Sequence, residues 1–169
     1  MDYQKFLEEK RKLSAEASLE ERQAVMRQGL ELVLASTGTH GVRIHDMMKK
    51  TLISCSEEEA EVTLAYEVED WELNPNGAMH GGLIGTAIDT ACGMVTRYMS
   101  ENLLASTVSL NVDYLRPVFG GDRLLVTAKL VRLGGHMANL RAEARRGSDR
   151  KPAALATAVF YLPGAGGKA

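Results

Sequence analysis

Apolar and polar residues trade places along this chain with two different periods, and the switches between them outline a fold. Val62, Leu64, Tyr66 and Val68 alternate with Glu61, Thr63, Ala65 and Glu67, which predicts a half-buried β-strand. Met47 to Ser56 predicts a strand just before it, placed to pair with it antiparallel. A polar loop holding Trp71, Asn74, Pro75, Asn76 and Gly77 then gives way to His80–Ser100, a stretch rich in Leu, Ile, Ala, Met and Val. Apolar nearly all round, that stretch predicts a helix roughly 30 Å long that is buried on most sides. Four more strands are predicted, at about Ser106 to Leu115, Asp122 to Leu133, Met137 to Arg146 and Ala153 to Leu162. Gly120-Gly121-Asp122, Gly134-Gly135 and Gly147-Ser148-Asp149 with Pro152 punctuate them. Two strands, one core helix and four strands predict an α+β domain whose antiparallel sheet wraps the helix.

The chain from Asp2 to about Ala35 follows another pattern. It is rich in Glu, Lys, Arg, Gln and Leu, and Ser18-Leu19-Glu20-Glu21 has the form of a capping box, with Ser18 as N-cap and Glu21 reaching back. A helix is therefore expected from near Leu19 to about Ala35, ended by Thr37-Gly38-Thr39. The organisation is then a helical extension over residues 1–40, one domain over 41–163, and a disordered tail over 164–169.

Composition narrows the partners. The chain has 169 residues, enough for one domain with a core, and a formal net charge of -2, which gives no basic field for nucleic acid. No membrane span is expected, because the most hydrophobic stretch, Gly81 to Met99, contains Asp89 and Arg97. The first residues lack the apolar core of a signal peptide, so a cytoplasmic location is expected. Cys55 and Cys92 form neither a CxxC nor a disulfide framework and read as structural thiols.

One stretch, NPNGAMHGGLIGTAIDTACGM from Asn74 to Met94, does not fit a purely structural helix. A carboxylate inside an apolar helix is costly unless it is paired or used, which singles out Asp89. Arg97 lies about two turns away along the helix, too far to be an obvious neutralising partner. Gly81 and Gly82 leave backbone amides at the helix start unscreened, and those donors with the helix dipole favour negative charge, as in an oxyanion hole. Close packing of the helix start on a strand is the plain alternative. His40, His45, His80 and His136 show no metal-ligand spacing with one another or with the cysteines, so no metal is expected. At about 100° per residue, His80 and Asp89 point to opposite sides of the helix, roughly 13 Å apart along its axis. If both take part in one reaction, the simplest arrangement is a two-fold dimer with composite sites.

Asn74-x-x-Gly77-x-x-His80-Gly81-Gly82 followed by Asp89, with the later NVDYLRP, resembles the hotdog-fold acyl-CoA thioesterases of the PaaI type over about Met47 to Leu162. The resemblance implies a hotdog fold, homodimers or dimers of dimers, and hydrolysis of acyl-CoA thioesters. It implies that Asp89 activates water or attacks the thioester, that the Gly81 amide polarises the carbonyl, and that Asn74 helps hold the carbonyl or the water. His80 would support this loop and the helix start. Thr107, found by counting back from Arg116-Pro117, would orient the water. Gly82 and Arg116 are the expected substrate contacts. Arg132, Arg145, Arg146 and Lys151 are further candidates for the phosphates of coenzyme A, although each also reads as a solvated strand residue. No cofactor is implied, since coenzyme A is part of the substrate. The chemistry suits the residues, because a thiolate leaves readily and one carboxylate with a few donors suffices; no G-x-S-x-G elbow occurs in the chain. Two other readings are a hotdog hydratase or dehydratase, which typically carries Phe-Pro after its histidine where this chain has Gly-Gly, and a non-catalytic acyl-CoA binding module.

Overall fold

The computed structural model describes residues 3–13, 17–36 and 43–164. The breaker Thr37-Gly38-Thr39, His40 and residues 165–169 of the expected tail lie outside them. Six strands, β1 (Lys50–Ser56), β2 (Glu61–Glu67), β3 (Ser106–Tyr114), β4 (Arg123–Leu133), β5 (Met137–Arg146) and β6 (Pro152–Tyr161), form one sheet of order β1-β2-β4-β5-β6-β3. Every neighbouring pair is antiparallel. Helix α4 (Gly81–Ser100) lies along one face of this sheet and touches β2 through β6. The expected α+β architecture, with a long helix packed on an antiparallel sheet, is the observed one.

Strand periodicity explains the packing. Val62, Leu64 and Tyr66 of β2 and Leu124, Val126 and Ala128 of β4 turn toward the helix and are buried, while the residues between them lie on the other face, where Ala65 and Leu125 are buried as well. On β5 and β6 the buried side chains are mostly alanines, including Ala138, Ala142, Ala144, Ala154, Ala156 and Ala158. Such small residues let the helix lie close to the strands. Phe160 fills the remaining space, its ring against Gly93.

One expected boundary is corrected. Residues 44–47 form a short helix, α3 (Ile44–Met47), and the strand expected from Met47 begins only at Lys50. The reason is a missing partner: Lys50 pairs with Tyr66, and β2 ends one residue later at Glu67, so an earlier start would leave ladder groups unpaired. Met48 is instead buried in the core.

The N-terminal helices α1 (Tyr3–Lys10) and α2 (Leu19–Ser36) join the same core through Phe6, Leu7, Met26 and Leu30. The Ser18 capping box is present: the Glu21 amide donates to Ser18 Oγ (3.2 Å) and the Ser18 amide donates to the Glu21 carboxylate (2.8 Å). Gly29 of α2 permits α1 to approach, because a Cβ there would sit 2.4 Å from the Phe6 ring. Lys10 at the end of α1 docks on the last turn of α4. Its ammonium lies 4.1 Å from the centre of the Tyr98 ring, donates to the Tyr98 carbonyl (2.9 Å) and pairs with Glu101.

Both cysteines are free. Cys92 is buried in α4, where burial and then the charge of Asp89 push its thiol up to about 12. Burial raises Cys55 as well. Iodoacetamide at neutral pH is therefore expected to leave Cys92 unmodified in the folded protein and to label it in guanidinium, read by intact mass. Rapid native labelling of Cys92 would show that the core opens.

Candidate active site

The loop before α4 is built as a rigid platform. A single 3-10 turn, Asp70–Glu72, is capped by Glu69, whose amide donates to the buried Glu72 carboxylate (2.9 Å). Burial raises the pKa of Glu72. The Glu72 carbonyl in turn accepts from the His80 amide (2.7 Å), and the Met79 amide donates to the Val118 carbonyl (2.7 Å). Asn74 closes the turn between them, its Oδ1 accepting from the amides of Asn76 (2.9 Å) and Ala78 (3.3 Å). Its Nδ2 has no acceptor among the described residues.

His80 is the N-cap of α4, and its Nδ1 accepts from the Gly82 amide (3.0 Å). The amides of Leu83 and Ile84 reach back to the His80 carbonyl. Of the first helical donors, the Gly81 amide is left without an acceptor among the described residues. That orphan N–H, at the positive end of a twenty-residue helix, is suited to a carbonyl oxygen that gains negative charge. Tyr114, at the end of β3, holds this residue from the other side: its hydroxyl donates to the Gly81 carbonyl (2.8 Å). A Cβ on Gly81 would lie 3.3 Å from the Tyr114 ring, which is why glycine suits the position.

Two turns into the helix, Asp89 Oδ1 accepts from Thr107 Oγ1 at 2.7 Å. No cation pairs with Asp89 within 4.0 Å among the described residues, so a structural ion pair does not account for it there. Asp89 and Thr107 line a cavity of about 790 Å³. One carboxylate oxygen is thus oriented by a hydroxyl while the other has no donor among the described residues, the arrangement a proton acceptor needs.

A register shift makes the two contacts of β3 compatible. Thr107 pairs with Phe160 and Tyr114 with Ala154, with a bulge between Thr107 and Ser109. Seven residues separate Thr107 from Tyr114, and in a regular strand an odd spacing puts side chains on opposite faces. The extra residue brings both back to the helix side.

The expected site residues fall into two groups. Asn74, Gly81 and Arg116 line a cleft of about 330 Å³ at the helix start, with His80 and Gly82 beside it as the cap. Asp89 and Thr107 line the larger cavity, and the two cavities share no lining residue. The Arg116 guanidinium is partly used, donating to the Pro152 carbonyl (2.9 Å). Sequence reasoning missed the role of Tyr114, although NVDYLRP contains it; only pairing and the bulge reveal that it reaches Gly81. It also missed Glu72, whose burial no local pattern announces. Among the described residues, no three His, Cys, Asp or Glu side chains converge to hold a metal ion, and no helix is long and apolar enough to cross a membrane.

Residues 76–153 match the family model described as the thioesterase superfamily. A candidate esterase of Pseudomonas aeruginosa is 32% identical over 104 residues, covering 61% of this chain and 76% of that protein. The medium/long-chain acyl-CoA thioesterase YigI of Salmonella typhimurium is 38% identical over 98 residues, 50% of this chain and 62% of its own, so the match spans less than two thirds of that relative. Among solved structures, the PaaI protein of the Escherichia coli phenylacetic acid degradation operon superposes with a TM-score of 0.72 at 22% identity, covering 87% of this chain and 97% of that one. A Streptococcus mutans protein solved with acetyl CoA bound gives 0.63 at 25% identity, over 73% and 94% of the two chains.

Proposed function

Since the chain belongs to the thioesterase superfamily, with the hotdog fold, we propose that it hydrolyses acyl-CoA thioesters to the free acid and coenzyme A at a site shared by two subunits. The observation that carries this reading is the carboxylate of Asp89, oriented by Thr107 and without a cation partner among the described residues, on a mostly apolar helix. Asp89 takes a proton from water as the water attacks the thioester carbon, or attacks that carbon itself, expelling the thiolate to form an anhydride that water then opens to the free acid and Asp89. The Gly81 amide receives the oxyanion, Asn74 Nδ2 steadies the carbonyl or the water, and His80 with Gly82 keeps the helix start in place. Coenzyme A leaves as the thiol, so no resident cofactor takes part. Arg116, which lines the same cleft as Gly81, contacts a phosphate or the pantetheine arm in this scheme.

The separation of the two clefts supports the two-subunit site. Strand β3 is an edge of the sheet, with Val108 more than half exposed, and an unpaired edge is a ready template for a second copy of itself. Pairing of this kind would carry the Gly81 cleft of one subunit toward the Asp89 cavity of the other. Thiol release from a panel of short, medium and aromatic acyl-CoAs tests the activity. Release from at least one member is expected, and binding without release would establish a binding module instead. An altered acyl group on an intact thioester would establish a hydratase.

Tyr114 is a positioning residue in this scheme. Tyr114→Phe deletes one hydrogen bond to Gly81 while keeping the ring, and about 1 kcal/mol of lost alignment lowers kcat several-fold. KM is expected to stay within about two-fold of wild type, whereas a purely structural role would move stability and leave kcat alone.

A further inference from the structure

The cavity beside Asp89 does not end in an apolar wall. Asp89, Thr90, Gly93, Met94 and Arg97 all face it along one side of α4, and the opening of β3 and the segment around Lys50 close it. Arg97 sits two turns beyond Asp89 along α4 and lines the same cavity. Its Nε is buried without an acceptor, and among the described residues its one hydrogen bond is a long one, 3.5 Å from Nη2 to the Ala105 carbonyl. No carboxylate pairs with it among the described residues. Lys50 brings a second, half-buried cation to the same wall, its ammonium donating to the His45 carbonyl (2.6 Å). Asp46 on that wall offsets part of this charge. A guanidinium held in a cavity with unused donors is costly unless an anion completes it.

On the thioesterase reading above, the thioester carbon sits at Asp89 and the acyl group extends into this cavity. We propose that Arg97, assisted by Lys50, binds a carboxylate at the far end of the acyl group, so that the preferred substrates are half-thioesters of short to medium dicarboxylic acids. Arg97 is then a specificity residue: it contacts the acyl terminus and leaves the bond cleavage unchanged, with water adding to the thioester carbon and coenzyme A departing as before.

The test compares kcat/KM for glutaryl-, adipyl- and suberyl-CoA with pentanoyl-, hexanoyl- and octanoyl-CoA. Wild type is expected to favour the best carboxylated member at least ten-fold over its plain counterpart. Arg97→Met should abolish that ratio while changing the plain acyl-CoAs less than about two-fold, and Arg97→Lys should keep part of it, which guards against a folding defect in the first variant. A wild-type preference for plain chains overturns the proposal. An equal loss on every substrate does so too, since it assigns Arg97 to coenzyme A or to packing. If no member releases thiol, the hydrolytic reading fails, and thermal-shift measurements decide this one separately: stabilisation by adipyl-CoA above that by hexanoyl-CoA, lost in Arg97→Met, sustains the carboxylate subsite, and equal stabilisation ends it.

Discussion

Replacing Asp89 with asparagine is expected to lower kcat about 10²- to 10⁴-fold, the range a positioned general base contributes. The substitution keeps the shape of the side chain, and Thr107 can still donate to the amide oxygen as it does to Oδ1 at 2.7 Å. What disappears is the capacity to accept a proton or to attack. No cation pairs with Asp89 among the described residues, so neutralising it strands no buried charge, and the melting temperature should hold or rise slightly. Thiol-release kinetics beside a melting curve separate chemistry from folding. Activity above a tenth of wild type in the asparagine variant would remove Asp89 from the mechanism and leave its position in the apolar helix unexplained.

The second large effect is expected at Gly81. A valine there drives two methyl groups into the Tyr114 ring, which a Cβ alone would approach to 3.3 Å, and displaces the amide that faces the oxyanion. Losing one such donor costs about 10²- to 10³-fold in kcat. The more telling experiment mixes the two lesions. When Asp89→Asn and Gly81→Val chains are co-refolded, half of the dimers are mixed, and in a cross-subunit arrangement each mixed dimer holds one site with both lesions and one with neither. Activity should therefore recover to roughly a quarter of wild type from two nearly inactive parents. If Gly81 and Asp89 served the same site within one chain, mixing would restore nothing.

The strands and the long helix were legible because their apolar periods are long and clean, as in the alternation through Val62–Val68 and the apolar run ending at Ser100. The strand expected from Met47 was too early because a strand ends where its partner does, and pairing between residues 50 and 66 is not a local property. Asp89 was legible for an energetic reason, a carboxylate out of place. Thr107 was reached only by resemblance and counting, and the hydrogen bond to Asp89 gives the placement a physical basis. The part of Tyr114 and the one proposed for Arg97 stayed hidden for a shared cause: one rests on a strand irregularity and the other on an unmet bonding need, and both depend on which segments fold against each other.

The bulge in β3 gives that strand a reserve of length. Between Thr107 and Tyr114 the chain carries one residue more than the ladder of β6 uses. A lineage that lost one residue here could close the bulge and keep both side chains on the helix opposite their present partners, whereas one that gained a residue would need a second irregularity or would slide one of the two along the ladder of β6, away from its contact. Drift in length along this strand is thus permitted in one direction only, and the same irregularity that lets a single strand brace both ends of the chemistry sets that direction.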